Sequence, residues 1–235
     1  MTADAMVAAI LATWPAAELG SAGGFTLRRG AGGNRTSAAT LAAPPGAIPA
    51  AEAAMRAWGQ RPVFMIRAGE AALDAALAAR GYELRDHTLV LAAPAAPLAG
   101  ADVERAIFGE VPLRAMTDVW AAAGIGAERL AVMARVAGPK IYLLGRWQDR
   151  VAGAGFAALA GDAVVLHAIE VAPAARRTGI ASAMIRAAAS WAAERGADRL
   201  LLAVTRANAG AVALYRRLGF EDAAAYHYRR AALPG

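Results

Sequence analysis

The sequence predicts a mixed α/β fold in which helices flank a mostly antiparallel sheet. The chain has 235 residues, of which 58% are hydrophobic and 19% charged, so it can bury a large core. Residues 141–171 consist of short apolar runs separated by turn residues, whereas residues after Gly179 repeat apolar side chains at helical spacing. No run of about 18 apolar residues is free of charge, proline and glycine, so we expect no membrane span.

The segment "LVLAAPAAPLAGADVE", residues 89–104, has the composition of a connection between domains. It alternates proline with alanine and then becomes acidic. We therefore predict two domains, residues 1–98 and residues 99–235. In the first, the predicted helices are "PAAEAAMRAW" and "GEAALDAALAARG", and the predicted strands are "GGFTLRR", "RTSAATLA", "PVFMIR" and "YELRDHTLVLA".

The second predicted domain begins with a helix over 117–137 and continues with three strands. These strands are "IYLLGRW", residues 151–159 and residues 163–171. Turn-forming residues separate them, Gln148 with Asp149 and then Gly161 with Asp162. Short turns of this kind are typical of an antiparallel meander.

The apolar period becomes helical after Gly179. The residues that form the stripe are Ile180, Met184, Ala188 and Trp191. Gly196 stands where this helix is expected to end, and "RLLLAVT" follows as a strand. The stretch "NAGAVALYRRLG" predicts a second helix, capped by Asn208 and ended by Gly219, before a last strand at "AAAYHYRR".

The positive charge of the chain is localised. Residues 172–235 hold ten arginines and four acidic residues, which accounts for the whole net charge of +6. Arginines concentrated around one loop suit a small polyanion, because phosphate oxygens accept bidentate guanidinium bonds. A solvated basic face and a nucleic-acid surface are the alternatives.

Several classes of protein are disfavoured by composition. The chain has no cysteine, so disulfides and thiolate metal sites are excluded, and a cytoplasmic location is expected. Its start, "MTADAMVAAILATWP", lacks the basic region of a signal peptide. His87, His167 and His227 lie far apart on separate predicted strands, so we expect no metal site.

The loop "RRTG", residues 176–179, opens the first of the two helices and predicts an anion site. A helix start presents unpaired N–H groups and a partial positive charge. Gly179 and Ala181 let a ligand approach the backbone, and Arg176 and Arg177 add charge. The spacing fits neither a Walker loop nor a Rossmann turn, and "GAGFAA" at 153–158 lies inside a predicted strand.

Two motifs resemble the GNAT N-acetyltransferase superfamily. "EVAPAARRTGIASAMI" resembles its R/Q-x-x-G-x-G/A acyl-CoA loop, and "NAGAVALYRRLGFE" resembles its second signature, N-x-x-A-x-x-L-Y-x-x-x-G-F. The resemblance covers about residues 115–230 and implies a GNAT fold with acetyl-CoA as cosubstrate. The residues implied to bind CoA are Ile169, Val171, Arg176, Arg177, Thr178, Gly179, Ile180, Ala181, Asn208 and Tyr215.

The resemblance also implies that Tyr215 is the general acid for the departing thiolate; the alternative is a half-buried aromatic under the sheet. Glu170 is our candidate base, acting directly or through water. The alternatives are that it is a surface charge or a salt-bridge partner. His167 is the other candidate base. Strand alternation predicts that it points to the same face as Ile169 and Val171, and that Glu170 points to the opposite face.

"AVALYRRLGF" further resembles ribosomal-protein alanine N-acetyltransferases. Those proteins carry a glutamate on the strand before the asparagine, and the matching position here is Ala203. This departure argues against a ribosomal substrate.

The first predicted domain repeats part of the second. "LDAALAARGYELRD", residues 73–86, has the order helix, glycine, aromatic and acidic residue that "AVALYRRLGFEDAA" has. It lacks the asparagine and the anion loop, so we interpret residues 1–98 as a degenerate GNAT-like domain that binds no CoA and supplies a wall of the acceptor pocket. An unrelated α/β cap is the alternative. The pieces "GGFTLRRGAGGNRTSAAT" and "YHYR" also resemble a bacterial branch of the superfamily that has such a front domain.

The sequence thus predicts an N-acetyltransferase that moves the acetyl group of acetyl-CoA directly to a primary amine of a small molecule, peptide or protein. The alternatives are a non-catalytic acyl-CoA sensor and a nucleic-acid-binding protein. The expected partners are acetyl-CoA and an amine-bearing acceptor. We expect binding to neither nucleic acid nor membranes, and a homodimer is one possible assembly.

Overall fold

The computed structural model describes residues 1–44 and 46–233. The helices are α1 (Ala3–Ala12), α2 (Ile48–Ala57), α3 (Ala71–Ala79), α4 (Arg114–Ala122), α5 (Ala127–Arg135), α6 (Ile180–Glu194) and α7 (Ala209–Arg217). The strands are β1 (Glu18–Ala22), β2 (Phe25–Arg29), β3 (Thr40–Leu41), β4 (Val63–Arg67), β5 (Glu83–Pro94), β6 (Ala106–Gly109), β7 (Lys140–Trp147), β8 (Arg150–Ala160), β9 (Ala163–Val171), β10 (Arg199–Thr205) and β11 (Glu221–Arg230).

Eight strands form one sheet in the order β4-β11-β5-β10-β9-β8-β7-β6, and β1, β2 and β3 form a small second sheet. The β7–β8–β9 meander is antiparallel, as predicted, and its first turn has left-handed backbone at Gln148 and Asp149. The pair β9–β10 is parallel, because α6 returns the chain to the starting end of the sheet. The predicted mixed, mostly antiparallel fold class is confirmed.

The large sheet takes strands from both predicted domains. Strand β5, from the first, lies between β10 and β11 of the second, and β4 pairs with the outer edge of β11. The proposed division at residue 98 falls just after β5, in a short 3-10 turn over Ala96–Leu98. The two domains with this boundary stay a prediction, and the large sheet is continuous across the boundary.

Two sequence expectations are wrong. The predicted helix over 117–137 is two helices, α4 and α5, because glycines at 124 and 126 interrupt it and Gly124 has a φ of +76°. The predicted strand "RTSAATLA" is a 3-10 turn at Asn34–Thr36 followed by the two-residue β3. The patterns also missed α1, β1 and β6. Helix α1 carried a cap signal, since the Thr2 side chain accepts from the amide of Ala5.

Helices cover both faces of the large sheet. Helix α6 packs on one face, and its predicted stripe of Ile180, Met184, Ala188 and Trp191 is buried there. Helices α1 and α4 pack on the other face. Within residues 1–44 and 46–233, no helix is both long enough and apolar enough to cross a membrane.

Candidate active site

Strands β9 and β10 separate part-way along their length. Their pairing runs from Ala163 with Arg199 to Leu166 with Leu202. Beyond that point β9 stays paired with β8, and β10 stays paired with β5. The two strands therefore open a gap in the middle of the sheet, which we call the β9–β10 gap.

A bulge at Ala168 shapes this gap. Ala168 has a φ of +49°, and its carbonyl accepts a hydrogen bond of 2.8 Å from the Trp120 indole. On β8 the bulge faces Gly155, where an added Cβ would lie 2.5 Å from the side chain of Ile169. Gly155, part of the misleading "GAGFAA" stretch, is therefore needed because the bulged strand comes so close.

The bulge also reverses the alternation of side chains. Leu166 and Ile169 both pack on the α6 side of the sheet. His167 lies on the other side, with its ring centroid 4.9 Å from that of Trp14. The expectation that His167 points with Ile169 and Val171 is thus wrong, because the extra residue shifts the period of two.

The backbone of β9 offers free polar groups to the gap. The amide of Ala172 donates to Ala152 on β8 at 2.8 Å. Because alternate residues of a strand direct their amides to opposite sides, the N–H groups of Ile169 and Val171 face away from β8, toward the gap. The carbonyl of Val171 accepts a hydrogen bond from Nε of Arg176 at 3.3 Å.

Left-handed backbone forms the loop that enters α6. Gly179 caps the helix with φ +92° and ψ 0°, and Arg177 has a φ of +64°. The Thr178 hydroxyl donates to the carbonyl of Ala175 at 2.7 Å, and the carbonyl of Thr178 accepts from the Arg105 guanidinium. Sequence reasoning missed Arg105, which precedes the unpredicted strand β6.

A cleft of about 730 Å³ lies between this loop, the end of β9 and α7; we call it the loop cleft. The residues predicted to bind CoA that line it are Ile169, Val171, Arg176, Arg177, Gly179, Ile180, Ala181 and Asn208. Thr178 and Tyr215 are absent from its lining. The side chain of Ile180 is buried against the sheet, so this residue offers its backbone.

Sequence reasoning missed several residues of this lining: Ala175, Ser182, Gly210, Ala211, Leu214 and Arg217. The period of α7 could have indicated Ala211 and Leu214, since residues three or four apart share a helix face. Asn208 caps α7, its side-chain oxygen accepting from Ala211 at 3.1 Å. Its NH₂ group makes no hydrogen bond with the described residues, so capping and ligand binding are compatible.

A second cleft, of about 310 Å³, opens on the α1 and α5 side of the sheet; we call it the sheet cleft. Tyr215, His167 and Ala203 line it, together with Asn34, Arg35 and other residues of the first predicted domain. Ile169 and Glu170 line both clefts. The two clefts therefore meet at the bulged end of β9.

Glu170 is half-buried at this junction. Burial raises the pKa of its carboxyl, and the nearby Arg176 and Arg129 offset part of that effect. In the described ranges no ion pair or hydrogen bond engages this carboxylate, so the salt-bridge alternative has no support here. A carboxylate with a raised pKa, in a cleft, is suited to accept a proton.

Tyr215 is 8% exposed and packs against Phe220, with ring centroids 5.7 Å apart. Burial, and secondly the charge of Glu170, raise the pKa of Tyr215 to about 12. The phenol therefore stays protonated at neutral pH and can donate a proton into the sheet cleft. Packing and proton donation are compatible.

His167 is 5% exposed, and both of its ring nitrogens are engaged. Nε2 lies 2.8 Å from the hydroxyl of Thr13, which also lies 2.8 Å from the carbonyl of Ala9. Because Thr13 donates to that carbonyl, Nε2 donates to Thr13, which leaves Nδ1 to accept from Arg35 at 3.3 Å. Burial and the Arg35 charge hold the pKa of His167 well below its usual value, so the ring is neutral.

Across residues 1–44 and 46–233, no three His, Asp or Glu side chains are grouped so as to hold a metal ion. The polar groups that line the two clefts include backbone amides, arginines, the carboxylates of Asp86 and Glu170, and tyrosine hydroxyls.

Comparisons with known proteins relate this chain to acetyltransferases. Residues 113–220 match the Acetyltransferase (GNAT) family. Streptothricin acetyltransferase of Streptomyces lavendulae is 48% identical over 71 residues, 28% of this chain and 38% of that protein. Mycothiol acetyltransferase of Clavibacter michiganensis subsp. michiganensis is 39% identical over 95 residues, 40% of this chain and 31% of that protein. The chain thus spans less than two-fifths of either relative.

A solved structure extends the likeness to the whole chain. A GCN5-related N-acetyltransferase from Kribbella flavida superposes with a TM-score of 0.73 at 20% identity, covering 100% of this chain and 97% of that one. At this identity the likeness concerns the fold alone. It includes the first predicted domain as well as the part that contains both motifs.

Proposed function

We propose that this chain is a GNAT-family enzyme that transfers the acetyl group of acetyl-CoA directly to a primary amine; the match of residues 113–220 to the Acetyltransferase (GNAT) family supports this proposal. The acceptor is an amine of a small molecule, peptide or protein. The observation that carries the proposal is that Ile169 and Glu170 line both clefts. A thioester in the loop cleft and an amine in the sheet cleft would meet beside one carboxylate.

The loop cleft fits CoA chemically. The start of α6 directs unpaired amides and a partial positive charge toward the cleft, and Arg176 and Arg177 add full charges for the pyrophosphate. The edge of β9 at the gap suits an extended pantetheine arm, which carries its own amide groups and can pair like an added strand. Asn208, with a free NH₂ group, is placed to hold the same arm.

Glu170 is proposed to accept the proton of the attacking amine, directly or through a water molecule. An alkylammonium group has an ordinary pKa of about 10, so most of it is protonated at neutral pH and needs a base. Because the pKa of Glu170 is raised, it lies closer to the pKa of the amine. The carboxylate is therefore a better base. We propose Glu170 rather than His167 for this role, because the His167 ring is buried and both of its nitrogens are engaged, with Thr13 and Arg35.

Tyr215 is proposed to protonate the departing thiolate. Its phenol is held protonated by burial and lies beside Glu170, so proton removal and proton delivery take place at one site. The amide of Val171 is placed to stabilise the oxyanion of the tetrahedral intermediate, because it faces the gap without a strand partner. The chain has no cysteine, which is consistent with direct transfer without an acyl-cysteine.

The test is a panel of primary amines incubated with the full chain and acetyl-CoA, with release of free thiol as the readout. We expect thiol release that depends on the amine and a product that is heavier by one acetyl group. Acetyl-CoA that binds but is not consumed with any amine would favour the alternative, a non-catalytic acyl-CoA sensor. Tight binding of DNA that weakens steeply with salt would instead favour a nucleic-acid-binding protein.

A further inference from the structure

Arg35 is an arginine in the sheet cleft without a carboxylate partner. It lies on the 3-10 turn Asn34–Thr36 of the first predicted domain and lines the cleft. Across the described ranges it forms no ion pair, and its neighbours are the neutral ring of His167, 3.3 Å away at Nδ1, and the hydroxyls of Tyr226 and Tyr228. Its Nε is enclosed by protein and bonds to nothing there. Such a charge is costly to bury unless something pairs with it.

The groups around Arg35 keep it positively charged. Although burial disfavours the charge, the hydroxyls of Tyr226 and Tyr228 beside it raise the pKa of Arg35. The Tyr226 hydroxyl is itself enclosed, next to Arg35 and Tyr228. The wall of the cleft thus holds a charged donor whose neighbours are neutral groups.

The acidic residues of the cleft do not neutralise Arg35. Asp86 accepts from the side chain of Asn34 at 2.9 Å, and its carboxylate is more than 4.0 Å from any described guanidinium. Glu170 lines the cleft at its junction with the loop cleft, where the charge of Arg129 acts on it. The cleft therefore has a carboxylate where an amine should react, with Arg129 near it, and a second guanidinium, that of Arg35, without a carboxylate partner.

We propose that the acceptor substrate carries a carboxylate, which Arg35 binds, on the same molecule as the amine that is acetylated. This inference rests on the function proposed above and adds the chemical class of the acceptor. A planar guanidinium binds a carboxylate with two parallel hydrogen bonds, so Arg35 suits this group.

The spacing of the two groups limits the acceptor further. His167, which contacts Arg35, precedes Glu170 by three residues on β9. Three residues of extended strand span about 10 Å, and a bulge shortens this distance. The amine and the carboxylate are therefore separated by several bonds, as in a dipeptide or an ω-amino acid, rather than sharing one carbon as in glycine.

The test uses matched pairs of probes that differ in the carboxylate alone: glycylglycine with glycylglycinamide, and 5-aminopentanoate with 5-aminopentanamide. Binding is measured by calorimetry on the full chain saturated with CoA, which has no acetyl group to transfer. The wild-type chain should bind the carboxylate member of each pair about 10- to 100-fold more tightly, the range for a charged hydrogen bond. Glycine should bind weakly.

Arg35→Met should reduce this preference to near unity, and Arg35→Lys should keep part of it. Arg28→Met is the control, because Arg28 donates to Ala38 and Thr40 in the same loop but lies outside the cleft lining. It should keep the full preference. The CoA affinity of each variant is measured as well. A variant that binds CoA as tightly as the wild type is folded, so a lost carboxylate preference is then due to the missing charge of Arg35.

Equal binding of both members of each pair, including no binding by either, would overturn the proposal. A preference that Arg28→Met also removes would overturn it too. Because the readout is binding, it is independent of turnover. A chain that binds the carboxylates through Arg35 and yet never consumes acetyl-CoA supports this inference and contradicts acetyl transfer.

Discussion

The two clefts that meet at Glu170 are assembled from the chain in different ways. The loop cleft is lined by residues 169–182 and 208–217, two short stretches of one predicted domain. The sheet cleft draws its lining from helix α5, strands β5, β9, β10 and β11, helix α7 and the loops of the first predicted domain. The residues of the loop cleft are therefore close in sequence and form a recognisable motif. Those of the sheet cleft are far apart in sequence, and only long-range packing brings them together.

The arginines of the two clefts differ in the same way. Arg176 and Arg177 are exposed at the start of α6, where water screens their charges until an anion binds. Arg35 is partly enclosed, beside two tyrosines and a neutral histidine. An exposed arginine attracts many different anions, whereas an enclosed arginine binds only a ligand whose shape fits its surroundings. The loop cleft should therefore recognise a group that many ligands share, and the sheet cleft should accept a narrower set of molecules.

The largest expected effect is loss of folding when residues 1–98 are removed. The loop cleft belongs wholly to residues 99–235, yet β5 is an interior strand between β10 and β11, and its removal leaves both without a partner on that side. We expect the fragment 99–235 to show no cooperative thermal unfolding by circular dichroism. A fragment that unfolds cooperatively and binds CoA would show that the loop cleft is independent of the first segment.

A bulky side chain at Gly179 should abolish acetyl-CoA binding. Gly179→Trp adds a Cβ at a φ of +92°, 3.4 Å from the Arg105 guanidinium, and places the indole at the mouth of the loop cleft. Calorimetry should detect no binding. Gly196→Trp is the control, because φ there is +68° and no described atom lies within 4 Å of the added Cβ. Unchanged affinity in Gly179→Trp would place the phosphate site elsewhere.

Tyr215→Phe should separate the two clefts functionally. Tyr215 lines the sheet cleft and is absent from the loop cleft, so kcat should fall by about 10²- to 10⁴-fold while the Kd for acetyl-CoA stays unchanged. Tyr142→Phe, at another buried tyrosine whose pKa burial also raises, should keep full activity. A Tyr215→Phe enzyme as fast as the wild type would leave Tyr215 with its packing role alone.

Glu170→Gln should produce the smallest effect, and one that depends on pH. In the wild type, kcat/KM should fall as pH drops through the pKa of Glu170, which lies above its ordinary value, because the protonated carboxyl no longer accepts a proton. Tyr215, with a pKa of about 12, stays protonated throughout. The variant should be about 10²-fold slower near neutral pH and recover toward high pH, where the amine is already deprotonated.

The matched control is Glu128→Gln, which changes an exposed carboxylate on α5 and should leave the profile unaltered. If the Glu170→Gln profile runs parallel to that of the wild type at every pH, Glu170 is not the base. Water would then be the remaining candidate, since His167 has no free nitrogen.

Local interactions were readable from the sequence. The anion loop, the cap at Asn208 and the turn at Gln148 and Asp149 each depend on residues a few positions apart, whose backbone preferences act wherever the segment lies. The same holds for the apolar stripe of α6, because a period of 3.6 residues fixes one helix face. The sequence alone therefore determined most of the element order and the place of the loop cleft.

Tertiary structure decided what depends on register and on distant pairing. One bulged residue, Ala168, placed His167 on the opposite face from the one that alternation predicted, and nothing in the strand's composition marks it. Pairing between remote segments inserted β5 into the sheet, and packing brought Arg35 to a neutral histidine 132 positions along the chain. Such contacts form because a whole core is buried at once, so no short stretch of sequence contains them.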